Sequence, residues 1–502
     1  MRSERLFRIL GLVDQDLIDG AEAPVSKRRR GWRPMAAIAA CLVLALGAGW
    51  GAGVLRMGGN SSDTAGGESG HDAGTVFMSY GGPVFPLTAR EAAEGVTAER
   101  EIAWDFAPTA YDDGSPRQWG AAVTDRYVFT NPTDQDVTLA ALYPFTASLW
   151  DLERLTPEIA LDGAAVQAEL CPGAYPGGFT HAGGDPEATL NLDELNSWEQ
   201  YKALLSGGDY QDRALTPYVP TDIPVTVYQF SDFAAPLGEY PAATQAVSFD
   251  LDDGSTTILT YGFNGGEYQE GWRRYSYFVP NGTPGRPETK MLIVLGEDLE
   301  DCTLQGYQDG GCDPGEEIDG VSCTVTRRES TLDEVLYEIC RFDQAWYLDD
   351  EDIPGDLLFR GVMELLTDSG PLAPGGSVDR YDTGMLDEVI VDALAVTRVM
   401  YLRFDVTVPA GGTAEVSARL WKQPSHDFIC SGGENAGIQG YDLVTRLGSV
   451  LDFTRQTAAL VNAEAVELVR QNFGFDPAAG VTQVELDPAE ERYYLEIRVR
   501  EE

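Results

Sequence analysis

The sequence is poor in histidine and in basic residues, and both shortages exclude functions. It holds three histidines, which leaves little room for histidine-based metal binding or acid–base catalysis. It has 35 lysines and arginines against 81 aspartates and glutamates, a formal net charge of −46. A chain this acidic repels a phosphate backbone, so we expect no nucleic-acid partner. Its 43% of hydrophobic residues can still fill sizeable cores, which excludes wholesale disorder.

Recognised catalytic signatures are also missing. The sequence shows no G-x-S-x-G nucleophile elbow, no H-E-x-x-H zinc motif, no S-x-x-K motif with its partners and no phosphate-binding loop. Glycoside hydrolysis through two carboxylates stays open, because the many acidic residues offer many pairs and no pattern selects one. The sequence therefore favours no enzyme and identifies no catalytic residue.

The first 55 residues predict a membrane anchor. Residues 35–55 form a run of 21 residues without a charge, long enough to span a hydrocarbon core of about 30 Å. Five basic residues stand just before it, between Lys27 and Arg33, and place the stub of residues 1–34 in the cytoplasm. The rest of the chain is then extracytoplasmic. A cleaved signal peptide is the alternative, although its basic region would be long and no clean cleavage site ends the apolar run.

Composition divides the exterior region into a linker and two domains. Residues 56–98 are expected to form a flexible linker, whose part 57–75 is rich in glycine, serine and aspartate. We assign residues 99–300 to a mainly-β domain and residues 301–502 to an α+β domain.

A period of two in the hydrophobic pattern dominates the exterior region. Apolar alternation on both sides of a turn predicts hairpins at residues 123–145, 246–263 and 400–421. The first and last hairpins belong either to two sandwiches or to one sheet system that the middle region interrupts. The fold class expected is α+β, with antiparallel β-sandwich-like sheets and a few short helices.

Helices are expected at four places. Ser197 and Thr331 each open a capping box, in which a hydroxyl caps the helix and an acid or amide follows three residues later. Residues 356–367 and 463–473 are the other two predicted helices.

Six cysteines follow the predicted anchor, an even number that suits disulfides in an oxidising compartment. Free buried thiols are the alternative, and the spacings do not match a zinc ribbon, which needs closely spaced pairs. The pairing is not predictable from sequence. The disulfide candidates are Cys171, Cys302, Cys312, Cys323, Cys340 and Cys430.

One acidic loop has the composition of a calcium site. Calcium prefers several oxygen ligands in a bendable loop, although the spacing here is not that of an EF-hand. An ordinary acidic surface turn is the competing interpretation. The candidate ligands are Asp309, Asp313, Glu316, Glu317 and Asp319.

Aromatic residues cluster between Tyr268 and Phe278 and again at Trp346-Tyr347. Such rings line carbohydrate-binding surfaces, but alternating aromatics also fill the core face of a strand.

The N-terminal pattern resembles that of a known group. Its elements are Leu6-Phe7, Leu10-Gly11-Leu12-Val13-Asp14, Leu17-Ile18, the basic cluster, Trp32 and Ala39-Ala40-Cys41-Leu42. Over residues 1–55 the chain resembles uncharacterised single-pass membrane proteins of anaerobic Gram-positive bacteria. The resemblance implies a cytoplasmic stub, an anchor and an extracytoplasmic C-terminal region, and it supplies no activity.

These patterns favour a membrane-anchored protein that binds or senses a ligand or protein at the cell surface. An extracytoplasmic hydrolase using paired carboxylates and a structural or adhesive surface protein are the alternatives.

Overall fold

A computed structural model describes most of the chain after residue 76. The described residues are 77, 79–107, 109–110, 116–117, 119–176, 195, 197–236, 243–252, 254–279, 289–348, 354–377, 381–427 and 435–500. They separate into two compact units. The inserted unit is the described part of residues 219–391, and the split unit is the described part of residues 60–218 and 392–502. The boundary predicted at residue 300 lies within the inserted unit.

The fold is mostly β-strand with few helices, as the α+β prediction required. The strands, in chain order, are β1 (Pro83–Val84), β2 (Thr88–Ala89), β3 (Thr97–Asp105), β4 (Thr109–Ala110), β5 (Pro116–Arg117), β6 (Ala121–Thr130), β7 (Val137–Ala147), β8 (Glu158–Leu161), β9 (Ala164–Ala165), β10 (Glu169–Pro172), β11 (Pro224–Ala234), β12 (Ala243–Asp250), β13 (Thr256–Tyr261), β14 (Gly265–Gln269), β15 (Trp272–Val279), β16 (Lys290–Gly296), β17 (Thr303–Tyr307), β18 (Glu317–Ile318), β19 (Ser322–Thr331), β20 (Arg398–Val408), β21 (Thr413–Lys422), β22 (Gln439–Val444), β23 (Asp452–Val461), β24 (Val466–Gln471), β25 (Gln483–Glu485) and β26 (Arg492–Val499). The helices are α1 (Leu152–Leu155), α2 (Trp198–Leu205), α3 (Asp209–Leu215), α4 (Leu332–Tyr347), α5 (Leu357–Asp368) and α6 (Leu386–Ala395).

The split unit is sandwich-like. A seven-stranded sheet has the order β25-β23-β3-β6-β21-β8-β9, and four-stranded sheets have the orders β1-β22-β26-β24 and β10-β20-β7-β2. Trp104 and Leu460 of the seven-stranded sheet share one buried core with Leu443 and Ile497 of the β1-β22-β26-β24 sheet. A second core joins the β10-β20-β7-β2 sheet to helices α2 and α3.

The predicted hairpins at 123–145 and 400–421 are wrong in their pairing. Strand β6 pairs along its whole length with β21, and β7 pairs along its whole length with β20. The segment from β6 to β7 therefore crosses from the seven-stranded sheet to the β10-β20-β7-β2 sheet, and the segment from β20 to β21 crosses between the same two sheets. Each segment forms an arch, and the two arches pair strand to strand. Because the two segments pair directly, they belong to one sheet system that the inserted unit interrupts in sequence. This decides between the two arrangements that the sequence left open.

The side chain of Asn131 holds the two arches together. It is fully buried, and its amide nitrogen donates to the carbonyl oxygens of Gln135, Val408 and Pro409 at 2.8, 3.0 and 3.2 Å. Gln135 lies in the connection between β6 and β7, and Val408 and Pro409 lie where the chain leaves β20. The buried amide thus links the connection between β6 and β7 to the connection between β20 and β21.

The inserted unit is a second sandwich. Its sheets have the orders β13-β16-β11-β19 and β14-β15-β12-β17-β18. Phe230 and Leu292 of the first sheet pack in one core with Phe249 and Tyr275 of the second. The predicted hairpin at 246–263 is also an arch, because β12 pairs with β15 and β17 while β13 pairs with β16.

The capping boxes are confirmed, and one predicted helix is wrong. Ser197 Oγ accepts from the backbone N–H of Gln200, and Thr331 Oγ1 accepts from that of Glu334, each at 3.4 Å. The predicted helix at 356–367 is α5. Residues 463–473 instead form a 3-10 turn and strand β24, whose buried Val466 contributes to the sheet core and whose backbone pairs with β26. Pairing with a neighbouring strand outweighs the helical spacing of the apolar residues.

The predicted anchor at 35–55 and stub at 1–34 lie outside the described residues. In the described part of the chain, the helices are too short or too polar to cross a membrane. Residues 79–98, expected in the linker, form β1, β2 and the start of β3, and Leu87 is fully buried. The folded region therefore begins earlier than predicted.

Candidate functional site

The predicted calcium ligands lie on an exposed loop. Asp309 Oδ1 accepts from the N–H of Gly311 at 2.9 Å, and Glu317 Oε2 accepts from that of Gly315 at 2.8 Å. Arg274 donates to the carbonyl oxygen of Cys312 at 3.0 Å and holds the loop against the sheet. Within the described residues, no three potential ligands come together as a metal site. The loop's hydrogen bonds are those of an acidic surface turn.

Burial raises the pKa of four of the described cysteines and so disfavours their reactive thiolate form. Cys302, Cys312, Cys323 and Cys340 are thiols in the structure, and Cys171 is buried with its sulfur 4.0 Å from the carbonyl oxygen of Glu169. Burial, with smaller contributions from Asp298 and Asp301, raises the pKa of Cys302 to about 11. A thiol held protonated in this way is a poor nucleophile. Cys430 lies outside the described residues, so a bridge that includes it stays a prediction.

The aromatic run of β14 and β15 divides between core and surface. Tyr275 and Tyr277 are buried in the sandwich core, while Tyr268 and Phe278 are exposed to 39% and 44%. Arg274 lies over the ring of Trp272 at 5.7 Å from its centroid. The run therefore supplies both core rings and surface rings, as alternating aromatic residues on a strand do.

A cavity of about 160 Å³ opens in the split unit, and we call it the Trp119 pocket. Residues 79–84, which we call the wall segment, form one side. The end of β7 and the turn that follows it form another, and the end of β21 with residues 423–426 forms a third. The lining side chains that carry polar or aromatic groups are Ser79, Tyr80, Trp119, Phe145, Thr146, Ser148, Asp151, Thr397, Trp421, Lys422, Gln423 and His426.

Lys422 is the unusual residue of this pocket, because its side chain is only 4% exposed. Its Nζ donates to the carbonyl oxygen of Gly81 at 2.5 Å and to Thr146 Oγ1 at 3.2 Å. Burial lowers the pKa of the Lys422 amine to about 7, and the charge of Asp442 opposes that shift. The amine can therefore change its protonation state near neutral pH.

Asp442 lies behind the pocket and is buried as well. It accepts a hydrogen bond from the hydroxyl of Tyr80, and a nitrogen of Arg492 lies 3.7 Å from its Oδ2. Burial raises the pKa of the Asp442 carboxyl, while Arg492 and Tyr80 act against this shift. The carboxylate thus has its own partners and lies beyond direct contact with Lys422.

The mouth of the pocket is aromatic. Trp119 is 43% exposed, and its ring lies edge-on to that of His426 with centroids 5.0 Å apart. Trp421 Nε1 donates to the carbonyl oxygen of Trp119 at 3.2 Å. Gly120 permits this approach, because its φ is +121° and a Cβ there would lie 2.5 Å from Trp421 Nε1. The indole of Trp119 is accordingly held at the opening, where a ligand can stack on it.

Hydrogen bonds from the backbone of the wall segment attach it to the residues that follow the end of β21. Ser79 and His426 exchange two backbone hydrogen bonds of 2.8 and 2.9 Å, and the N–H of Gly81 donates to Ser425 Oγ at 2.9 Å. Pro83–Val84 then pairs in parallel with Asp442 and Leu443 of β22. The wall of the pocket is therefore built from the stretch of chain that follows residues 57–75.

Sequence reasoning missed this pocket, although one signal pointed to it. The alternation in β21 buries Ala414, Val416 and Ala418, and the same register brings Lys422 to an inward position. Lysine is almost never fully buried without a specific role or partner. A lysine on the core face of a strand was thus a detectable anomaly.

No protein-family model matches the chain, and a search of curated proteins finds no match.

Proposed function

We propose that this chain is a membrane-anchored, extracytoplasmic protein that binds or senses a small ligand, and that the Trp119 pocket is its ligand site. The observation that carries the proposal is the pocket's composition. It combines a buried amine at Lys422 with an exposed indole at Trp119 in a concave site. Ligand sites are concave, with aromatic walls and a few placed polar groups, and this cavity has both features.

Sensing is supported by the place of the wall segment in the chain. The wall segment follows the Gly-, Ser- and Asp-rich residues 57–75, which the sequence predicts as a tether to an anchor at residues 35–55. A ligand in the pocket would contact Tyr80 and Gly81 directly and so favour the docked state of the wall segment. Binding of a ligand would then affect the chain at the point where the tether joins the wall segment.

A hydrolase using paired carboxylates is less well supported. Among the lining residues that the structure describes, Asp151 is the one carboxylate. It accepts from Ser148 Oγ at 2.9 Å and is paired with Arg154. A glycosidase needs two carboxylates flanking the scissile bond, so this pocket favours binding over hydrolysis.

The test is a thermal-shift screen of the full-length chain in detergent micelles against a library of small sugars, acids and amino acids. A ligand of the pocket should raise the melting temperature of the wild-type chain. The increment should vanish in Trp119→Ala and persist in Trp272→Ala, a tryptophan of the inserted unit that serves as the matched control. If every ligand found shifts Trp119→Ala as much as it shifts the wild-type chain, the pocket is not the site.

Topology needs its own measurement. Protease treatment of intact cells should remove residues after the anchor and leave a protected N-terminal fragment that ends beyond residue 34. A product released into the medium that begins near residue 54 would contradict the anchor.

A further inference from the structure

Within the part of the chain that the structure describes, the ammonium of Lys422 has one donor without an acceptor. An ammonium carries three N–H donors, and the structure gives two of them to Gly81 and Thr146. Lys422 lines the cavity together with Gly81 and Thr146, which accept from its Nζ, so the ammonium lies at the cavity wall and its third donor can serve an acceptor inside. A buried donor without an acceptor is costly, and a ligand that supplies one removes that cost.

The ammonium also has no counter-ion among the described residues. In the part of the chain that the structure describes, no carboxylate forms an ion pair with Lys422 within 4 Å. Asp442 acts on it only at longer range and is itself held by Tyr80 and Arg492. A buried charge without a partner is unfavourable, so a negatively charged ligand gains more here than a neutral one.

Two observations indicate that the negatively charged ligand is a carboxylate attached to a single ring. The described lining residues include one lysine and no arginine, and phosphate recognition characteristically uses several cationic donors. The volume of about 160 Å³ is close to that of a cavity of about 150 Å³ that accepts one benzene molecule, so it suits a single ring. The indole of Trp119 at the mouth supplies a flat surface for that ring.

Building on the proposed function, we propose that the Trp119 pocket takes a small ring-bearing monocarboxylate, whose carboxylate accepts from Lys422 Nζ while its ring lies against Trp119. A sugar acid and an aromatic acid share this chemistry, and they differ in the ring that meets the indole. The experiment separates the two sources.

The test uses isothermal titration of the full-length chain in detergent micelles at pH 6 with two matched pairs. The first pair is galacturonate and methyl galactoside, and the second is benzoate and benzamide. At least one acid should bind ten times more tightly than its neutral counterpart, and the pair that does so identifies the ring. Lys422→Met should remove that tenfold preference, whereas Trp119→Ala should weaken the acid and the neutral compound alike.

The outcomes separate this proposal from the one on which it rests. If a neutral compound binds as tightly as its acid, and Trp119→Ala abolishes that binding, the pocket remains a ligand site. The proposal that its ligand is a carboxylate is then wrong. Failure of both acids to bind the wild-type chain also overturns the carboxylate, while the thermal-shift screen judges the pocket separately. If Lys422→Met does not fold, the ratio of acid affinity to neutral-compound affinity in the wild-type chain still decides. Thr146→Val is a second variant, because it removes the hydroxyl that accepts from Lys422 Nζ.

Discussion

Arg100 and Asp125 form a two-bond ion pair in the interior of the split unit. The Nε–Oδ1 and Nη2–Oδ2 distances are both 2.8 Å, and neither side chain is exposed. Arg100 Nη1 also donates to the carbonyl oxygen of Val444 at 2.7 Å, and the hydroxyl of Tyr127 donates to Asp125 Oδ2 at 2.7 Å. The pair lies on neighbouring strands β3 and β6 and reaches β22, so it joins the two sheets of the core.

Asp125→Asn should destabilise the split unit strongly. The amide cannot balance the charge of Arg100, and an uncompensated buried charge costs about 3–5 kcal/mol. Denaturant unfolding of the full-length chain measures the change. Glu101→Gln is the matched control, because Glu101 pairs with Arg126 at an exposed site of the same strands and should cost no more than about 1 kcal/mol. Equal effects of the two variants would contradict the structural role of the buried pair.

Asn131→Ala should loosen the stacked arches. The substitution leaves three backbone carbonyls without the amide donor, and an unsatisfied buried group costs about 1–3 kcal/mol. We expect a loss of about 3 kcal/mol in the free energy of unfolding. Thr138→Ala, which removes an exposed side-chain hydrogen bond to Thr407 on the paired strands, should cost less than about 1 kcal/mol. A loss in Asn131→Ala no larger than that of the control would mean that Asn131 does not hold the arches.

Local patterns predicted the strands well, and the partners of the strands poorly. The alternation of β20 and β21 identifies two strands with one buried face each, and that information is contained in neighbouring residues. Whether the two strands pair with each other depends on the distant strands β7 and β6, which pair with β20 and β21 instead. Helix caps at Ser197 and Thr331 were predictable for the opposite reason, since each cap bonds a residue three positions away.

The candidate site was unpredictable for the same reason as the sheet pairing. Gly81, Thr146 and Lys422 meet in the pocket from three distant chain segments, and nothing local marks the first two. Only Lys422 breaks a local pattern, by standing at an inward position of β21. The acidic loop at 309–319 shows the converse, because a conspicuous composition there produced ordinary turn contacts.

The stability of the chain should rise with pH above neutrality because of Lys422. Its amine has an ordinary pKa of 10.5 and a folded pKa of about 7. Between these values the unfolded state binds more protons than the folded state, so the free energy of unfolding rises with pH, by at most about 1.4 kcal/mol per unit. We expect the free energy of unfolding of the wild-type chain, relative to that of Lys422→Met, to increase from pH 7.5 to pH 9.5. A difference that stays constant would show that the buried amine keeps its ordinary pKa.

Cys302 should alkylate slowly in the folded chain. Burial and the nearby Asp298 and Asp301 raise its pKa from 9.0 to about 11. Since the thiolate is the reacting form, this shift lowers the rate with iodoacetamide at pH 8 by about 100-fold relative to the same cysteine in denaturant. Asp301→Asn should recover part of the rate, because it removes one of the negative charges that disfavour the thiolate. Mass mapping of the alkylated peptides measures each cysteine separately.

The same mapping in denaturant without reductant tests the disulfide prediction. Cys302, Cys312, Cys323 and Cys340 are thiols in the structure and should all become fully alkylated once the chain unfolds. Cys340 should react only under these conditions, because its side chain has no exposed surface in the folded chain. Any of these four that stays unmodified until a reductant is added is bridged, either to another of the four or to Cys171 or Cys430, and closing a loop of about 15 residues would stabilise the chain by roughly 3 kcal/mol. That result would support the disulfide prediction drawn from the six cysteines and would contradict the thiol state.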